Sequence, residues 1–415
     1  MRIPFPAKGR GHDEILTEMR AMKAGDADWQ HGRTPLYVFK ATQEAYEMGR
    51  DAFFEFFTEN ALGARRAFTS VKRMEDEVIQ AALHLLHGPA EACGFMTTGG
   101  TESIIQAVQT CRDWSRARRK DHAHRGNILT SDSAHPAFNK AARLMDLEVR
   151  RVPTSPDLRA DVAAIGAAID RDTIMIVGSA PSFPHGVIDP IAELGALALK
   201  RDVWLHVDAC VGGYIAPFVK ELGYDVPDFD LGVAGVASLS ADLHKFGFCP
   251  KPASTVFYAN EDMARHHAFE FSDWPNGRFA TNTIVGTRPA GGVAAAWATF
   301  QRLGRPGYLD IAAKVMAMVE RYKDGVQSVS GLKLCGKPHL SIIAFGSEDF
   351  DVFRVSEVMA VKGWIPGLVQ KPRAIHRMMS LIHADSMEEY LDDLRAAIGV
   401  VRQEGDVKAA IQATY

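Results

Sequence analysis

Between residues 94 and 259 the chain alternates short apolar runs with stretches of helical spacing, and this alternation limits its possible folds more than any other feature. The runs "GFMTT" (94–98), "NILTS" (127–131), "TIMIVGSA" (173–180), "VWLHVDA" (203–209), "VASLSA" (236–241) and "STVFYA" (254–259) are short, apolar or β-branched, and bounded by turn residues, so they read as strands. Helical spacing fills 102–118, 137–145, 160–169 and 191–200 between them. Strands apolar on both faces must be covered on both faces, and crossover helices do this. The expectation is therefore a mostly parallel α/β sheet.

The pattern changes after about residue 308, where a long helix, the strand-like "SIIAFG" and the closing run "SMEEYLDDLRAAIGVV" read as a smaller α+β domain. A single core stops growing at roughly 250–300 residues, so 415 residues imply more than one part. The expected organisation is an N-terminal arm or cap over 1–60, a large domain over 61–307 and a small domain over 308–415.

Composition removes several function classes. Hydrophobic residues make up 47% and charged residues 24%, which leaves no disordered tail, and a net charge of −4 attracts neither nucleic acid nor an acidic membrane. The basic run "RDWSRARRKDHAHR" (112–125) follows an amphipathic stretch and reads as the solvated end of a helix. Five widely spaced cysteines in no CxxC pair suggest neither a disulfide framework nor a zinc finger, and fit a reducing cytoplasm. The first residues lack a signal peptide's apolar core, and no apolar run reaches the roughly 18 residues of a membrane span. A cytoplasmic protein is expected.

Three stretches could carry chemistry. "TTGGTES" (97–103) takes a strand through Gly99 and Gly100 into a helix beginning near Thr101 or Glu102. Such a junction aims free N–H groups and the positive helix end at one point, as a phosphate requires, although Gly-Gly also precedes ordinary helices. In "LHVDAC" (205–210), His206 and Asp208 alternate with apolar neighbours and share one face of a strand. They could contribute to a metal site, but no third ligand is evident and no metal is expected. Alternatively, Asp208 closes a central strand, where open α/β sheets bind ligands, and could face a cationic ring nitrogen.

The third stretch, "SLSADLHKFGFCPKPAST" (238–255), sets Lys245 after His244 and beside Phe246 and Phe248, an environment expected to lower its amine pKa. A phosphate cradle, a strand-ending aspartate and a following lysine are the three anchors that pyridoxal 5'-phosphate needs, for its phosphate, ring nitrogen and aldehyde. His135, in "SDSAHPAFNKAA" (131–142), follows another strand and could stack on the ring, or simply start a helix.

These residues resemble a known family. TTGGTES, SAHPAFNKAA, FPHGVIDP, HVDACVGGY and SxSADxHKFGFxPKxxS, followed by Asp273, Trp274 and GTRPAGG (286–292), are similar to the sphingosine-1-phosphate lyase family, within the group II decarboxylase-like set. The likeness covers roughly 60–310, with fainter echoes at Trp364, Gln370, Pro372, Ile375 and His376. It implies fold type I, the PLP-dependent transferase-like fold, with a mostly parallel seven-stranded sheet and a small α+β C-terminal domain. It also implies that Lys245 binds the cofactor aldehyde, Asp208 pairs with the pyridine nitrogen and His135 stacks on the ring. Gly99, Gly100, Thr101 and His244 would hold the phosphate. Gly286, Thr287 and Arg288 would reach across a homodimer, and Lys251 would lie near the substrate.

The implied reaction is retro-aldol cleavage of a phosphorylated β-hydroxy amine, giving an aldehyde and phosphoethanolamine; the alternative is decarboxylation of a small amino acid. Lys251, His206 or a cofactor phosphate oxygen could be the base. Asp242 reads as structural. The family's early NxLHxxxFP-like segment appears as "NALGARRAFTS" (60–70), its YHGGEE-like stretch as "QHGRTPLYVFKATQE" (30–44) and its GGxYxSPT-like loop as "PNGRFATNT" (275–283). Arg65, Arg66, Arg278 or Arg288 could therefore hold an anionic or carboxylate group of the substrate.

Overall fold

A computed structural model describes residues 2–35, 37–405 and 407–414. Two helices, α1 (His12–Lys23) and α2 (Gln43–Glu55), precede α3 (Thr69–Leu85). The large sheet and its crossovers follow as β1 (Cys93–Thr97), α4 (Gly100–Arg119), β2 (Asn127–Ser131), α5 (Ala137–Met145), β3 (Glu148–Val152), α6 (Val162–Ala168), β4 (Thr173–Ser179), α7 (Ile191–Arg201), β5 (Trp204–Asp208), α8 (Ala216–Glu221), β6 (Val236–Ala241) and β7 (Ser254–Tyr258). All six expected strands are present.

The sheet has seven strands in the order β1-β7-β6-β5-β4-β2-β3. The run from β6 through β5, β4 and β2 to β3 is parallel, while β7 is antiparallel to both β6 and β1. Strands β2, β4, β5, β6 and β7 are buried along their whole length, as continuous apolar runs covered on both faces should be. The unexpected strand is β3, "EVRRV". It lies at the sheet edge and carries the charge that protects an edge from further pairing, and this charge hid it from an apolar pattern.

After the short helix α9 (Glu261–Ala264), a two-stranded ribbon of β8 (Phe269–Phe271) and β9 (Phe279–Thr281) stands exposed. Helix α10 (Gly291–Gln327) then runs through the expected boundary at 307, leaving helical geometry at Gly304 (φ 53°) just before Pro306. Its residues pack on α2, α3 and α8 of the large part and on α12 of the small one. The small part holds an antiparallel sheet of β10 (Lys333–Leu334), β11 (Ile342–Gly346), β13 (Arg373–Met378) and β12 (Leu368–Gln370), in that order, with α11 (Val352–Ala360) and α12 (Met387–Glu404) packed together beside it. Among the described residues no helix is long and apolar enough to cross a membrane.

The crossovers sit close to the sheet. A Cβ placed on Gly195 of α7 would lie 2.2 Å from the Ala234 carbonyl oxygen, in the turn that feeds β6. Gly195→Ala should therefore push α7 off that turn and cost about 1–3 kcal/mol of stability, as overpacking does. An unchanged urea midpoint would show that the helix can yield at this contact.

Candidate active site

β6 delivers Asp242 to the C-terminal edge of the sheet, and the chain turns through 243–253 to return as β7. His244 N donates to Ala253 O (3.0 Å) and Phe248 N to Lys245 O (3.0 Å), which holds the turn closed. Phe248 takes a left-handed φ of 58°, unusual for a bulky residue; its ring packs on Phe246 and Tyr308. The Tyr308 hydroxyl donates to Gly247 O (3.0 Å).

Lys245 Nζ lies 3.0 Å from Asp242 Oδ2, with 20% of the lysine side chain and 2% of the aspartate side chain exposed. Ser254 Oγ donates to Asp242 Oδ1 (2.5 Å), and His244 Nε2 stands 3.7 Å from Oδ2. Burial disfavours the ammonium of Lys245, but the Asp242 carboxylate outweighs it and raises the amine pKa above lysine's ordinary value. Likewise burial pushes Asp242 up, and Lys245, His244 and Ser254 together hold it below the usual carboxylate value. One expectation is corrected here. The lysine is held as a cation, because its counter-charge comes from the residue three positions earlier, and Asp242 is that counter-ion.

The phosphate cradle lies next to this pair. Helix α4 begins at Gly100 with Gly99 as its cap, and among the described residues no acceptor meets the amides of Gly100 and Thr101. A Cβ on Gly100 would come within 2.7 Å of Cys210 Sγ and 2.8 Å of Asp242 Oδ2, so only glycine lets this helix end approach the lysine's carboxylate so closely. A Cβ on Gly99 would lie 3.6 Å from the His244 ring. Hydroxyls link Thr97 to Ser103 (2.7 Å) and Ser103 to Ser254 (2.9 Å), joining the helix start to the serine that donates to Asp242. Glu102 braces the same turn. It accepts from Thr98 N (2.6 Å) and Thr98 Oγ1 (2.5 Å), and its other oxygen accepts from Ile284 N (2.7 Å).

Asp208 closes β5 beside Asp242's strand. Its Oδ1 accepts from Cys210 N (3.1 Å) and, more weakly, from Ser240 Oγ (3.5 Å). His206 is buried; Nδ1 lies 2.8 Å from Ser238 Oγ and Nε2 3.3 Å from Ser240 Oγ, and burial lowers its pKa to about 4. No group of three or more metal-binding side chains occurs among the described residues. His135 starts α5, with Nδ1 accepting from Ala137 N (3.2 Å). Burial lowers its pKa, and the charges of Asp208, Lys245 and Asp242 all act on its ring, which places it within their reach.

A cavity of about 400 Å³ opens at His135, lined by residues that include Arg151, Phe183, Pro184, Leu368 and His376. Its walls come from both sheets. His376 Nδ1 meets Pro184 O (3.2 Å), so the small-domain echo residues sit over the large-domain "FPH" turn. Arg151, on the unexpected strand β3, escaped sequence reading. Its guanidinium donates to Asp132 O (2.9 Å), Ala134 O (3.0 Å) and Asn139 Oδ1 (2.6 Å), and so shapes the loop that carries His135. A larger groove of about 1130 Å³, against α3, α8 and the kink of α10, contains none of the expected site residues. Six of its rim groups form three pairs: Lys220 with Asp228, Arg305 with Glu221 and His87 with Asp230.

The remaining candidates lie elsewhere. Arg278 pairs with Glu270 on the exposed ribbon (2.6 Å), Arg288 pairs with Glu75 (3.1 Å), and Arg65 and Arg66 are exposed. Thr287 Oγ1 accepts from Asn60 Nδ2 (3.3 Å), and a Cβ on Gly286 would touch Leu62, so this loop rests on the "NALG" segment of its own chain. Lys251 is exposed; shelter of its stem and the nearby Lys245 charge lower its pKa.

The Lys245–Asp242 pair sets a pH window. The raised lysine contributes stability below its ordinary pKa of about 10.5, lost as pH rises through the folded value. The depressed aspartate contributes above about 3.8, lost as pH falls through its folded value. Between these limits Asp242→Asn should destabilise the cofactor-free protein by about 3 kcal/mol, because it strands a cation. Lys245 should then react with amine reagents at lower pH. Urea unfolding at pH 7 and pH-dependent labelling read by mass spectrometry test both effects; if neither changed, the pair would not be the anchor it resembles.

The pyridoxal-dependent decarboxylase conserved domain matches residues 68–348. The sphingosine-1-phosphate lyase of Arabidopsis thaliana is 41% identical over 96% of this chain and 74% of its own length. The solved sphingosine-1-phosphate lyase of Burkholderia pseudomallei superimposes with a TM-score of 0.92 at 35% identity, over 97% of this chain and 94% of that one. A Lactobacillus brevis glutamate decarboxylase reaches a TM-score of 0.85 at 22% identity over 98% and 96%, a likeness of fold. The glycine-lined cradle beside the buried lysine fits pyridoxal 5'-phosphate, the cofactor of the matched domain. The chain belongs to the sphingosine-1-phosphate lyase family of pyridoxal-phosphate-dependent lyases, with fold type I architecture.

Proposed function

We propose that this protein cleaves the Cα–Cβ bond of a phosphorylated long-chain β-hydroxy amine, releasing an aldehyde and phosphoethanolamine. The observation that carries this reading is the lysine–aspartate pair beside the Gly100 helix start, in a chain 41% identical to a sphingosine-1-phosphate lyase across 96% of its length. When bound, the cofactor supplies an electron sink for the pair released as the bond breaks.

The residues divide the remaining work. Lys245 would hold the cofactor by its aldehyde, with Asp242 beside it keeping the amine's proton. Gly99, Gly100, Thr101 and His244 would hold the phosphate. Asp208 would pair with the ring nitrogen, and His135 would stack on the ring. Arg151 is the arginine of the cavity wall among the described residues and, together with backbone amides, suits an anionic head group. His206 has both ring nitrogens engaged in the interior, which removes it as a base. Lys251, with its lowered pKa, stands as the candidate for taking the hydroxyl proton.

The protein acts as a homodimer in a reducing cytoplasm. Exposed Phe54, Phe57, Phe269, Phe271 and Trp274 supply an apolar surface for a second copy, to which Gly286, Thr287 and Arg288 would reach. Incubating the loaded enzyme with phosphorylated sphingoid bases and with amino acids, and scoring aldehyde and carbon dioxide separately, should give aldehyde alone. Carbon dioxide without aldehyde would replace this reading with decarboxylation. Lys245→Ala should abolish both turnover and the yellow absorbance of the bound cofactor while leaving the circular dichroism spectrum intact. A variant that kept its turnover would remove Lys245 from the mechanism.

A further inference from the structure

His206 is fully buried and takes no part in the chemistry above, yet both its ring nitrogens are committed. Strand pairing explains the arrangement. His206 of β5 lies opposite Ser238 of β6, and Asp208 lies opposite Ser240. One β5 face therefore presents Trp204, His206 and Asp208 to two buried serines. Trp204 Nε1 is 2.7 Å from Ser238 Oγ, and the contacts then continue to His206 Nδ1 (2.8 Å), from Nε2 to Ser240 Oγ (3.3 Å), and on to Asp208 Oδ1 (3.5 Å).

Elementary chemistry gives this line a direction. An indole N–H can only donate, so it occupies one lone pair of Ser238 Oγ. Ser238 must place its own hydrogen on an acceptor, and His206 Nδ1 is the one within reach among the described residues. The opposite assignment, with Nδ1–H donating to Ser238, would leave a buried hydroxyl hydrogen unpaired at a cost of about 1–3 kcal/mol. A neutral ring that accepts at Nδ1 carries its hydrogen on Nε2 and gives it to Ser240. Ser240, which also accepts from the Cys210 thiol (3.4 Å), is left to donate to the Asp208 carboxylate.

We propose that Trp204, Ser238, His206 and Ser240 form a one-way hydrogen-bond relay that locks His206 as its Nε2–H tautomer and makes Ser240 a donor to Asp208. The four are positioning residues. The proposal rests on the reading that Asp208 faces the cofactor's ring nitrogen. With Cys210 N and Ser240 Oγ both donating to Oδ1, that carboxylate keeps its orientation, and its second oxygen stays available to the ring. The low pKa of His206, about 4, keeps the ring neutral near pH 7, so the direction of the relay does not reverse.

The tautomer is directly measurable. In protein labelled with 15N-histidine, magic-angle-spinning 15N spectra at pH 7 should show the His206 signal, assigned by its loss in His206→Asn, with Nε2 protonated and Nδ1 bare. An Nδ1–H tautomer or a doubly protonated ring would overturn the proposal, and this reading needs no activity and can be taken on wild-type protein. In the holoenzyme, Ser240→Ala should lower kcat on the order of tenfold, the effect of losing one hydrogen bond to a charged group, with KM unchanged. The bound cofactor's absorbance should shift in the same variant, and Ser240→Thr should restore both. Unchanged absorbance and kcat in Ser240→Ala would refute the relay's influence on Asp208. Failure of the underlying reading looks different: Asp208→Asn would then bind and turn over as wild type does, whatever the His206 tautomer.

Discussion

The pair formed by the partly buried Lys245 and the buried Asp242 is the interaction around which the site is built. A carboxylate with 2% of its side chain exposed is costly unless its charge is met, and here it is met from three sides by Lys245, Ser254 and His244. Lys245 and His244 fold back from the turn that follows β6, and Ser254 comes from the next strand. Ser254 opens β7 and passes the connection through Ser103 to Thr97, so the start of α4 and two strands converge on one carboxylate. Gly100 is a consequence of that convergence, because a side chain there would collide with Asp242 and Cys210. The free amides of the helix end are thus held against the lysine by the same group that holds the lysine's proton.

The turn that carries Lys245 is strained and supported from behind. Phe248 sits at φ 58°, a conformation that costs a bulky residue on the order of 1–3 kcal/mol, and packing against Phe246 and Tyr308 offsets it. Tyr308 also donates to Gly247 O, so the second half of α10 reaches the turn directly. The kink at Gly304 lies four residues before that tyrosine and redirects the helix at the point where it passes from the large part to the small one. The lysine turn is therefore coupled to the helix that joins the two parts of the chain.

Much of this was legible in the sequence, and the failures have physical causes. The central parallel strands were readable because both of their faces are buried, which leaves an unbroken apolar run such as "TIMIVGS". β3 was not, since an edge strand needs only one buried end and its arginines face solvent and a loop. With it went Arg151, the cavity's arginine. The order of the motifs singles out Lys245 and Asp208, but the lysine's neighbours in sequence mislead about its protonation. Adjacent aromatics suggested an apolar site, whereas the turn brings Asp242 around to Nζ and directs Phe246 into contact with Phe39. Protonation depends on what folds back onto a group.

Two aspartates at neighbouring strand ends have opposite surroundings, and this difference argues for a division of labour. Asp242 is committed to a cation of its own chain and to a serine, so neither of its oxygens is left to serve a ligand. Among the described residues Asp208 receives neutral donors, Cys210 N and Ser240 Oγ, both on a single oxygen. A carboxylate held in place by neutral donors on one side leaves its other side open to a cationic partner, as a protonated ring nitrogen would require. If their roles were exchanged, the lysine would lose the counter-charge that holds its proton, and the ring would face a carboxylate already neutralised. The surroundings of the two carboxylates thus support the proposed roles, Asp208 toward the ring and Asp242 toward the lysine.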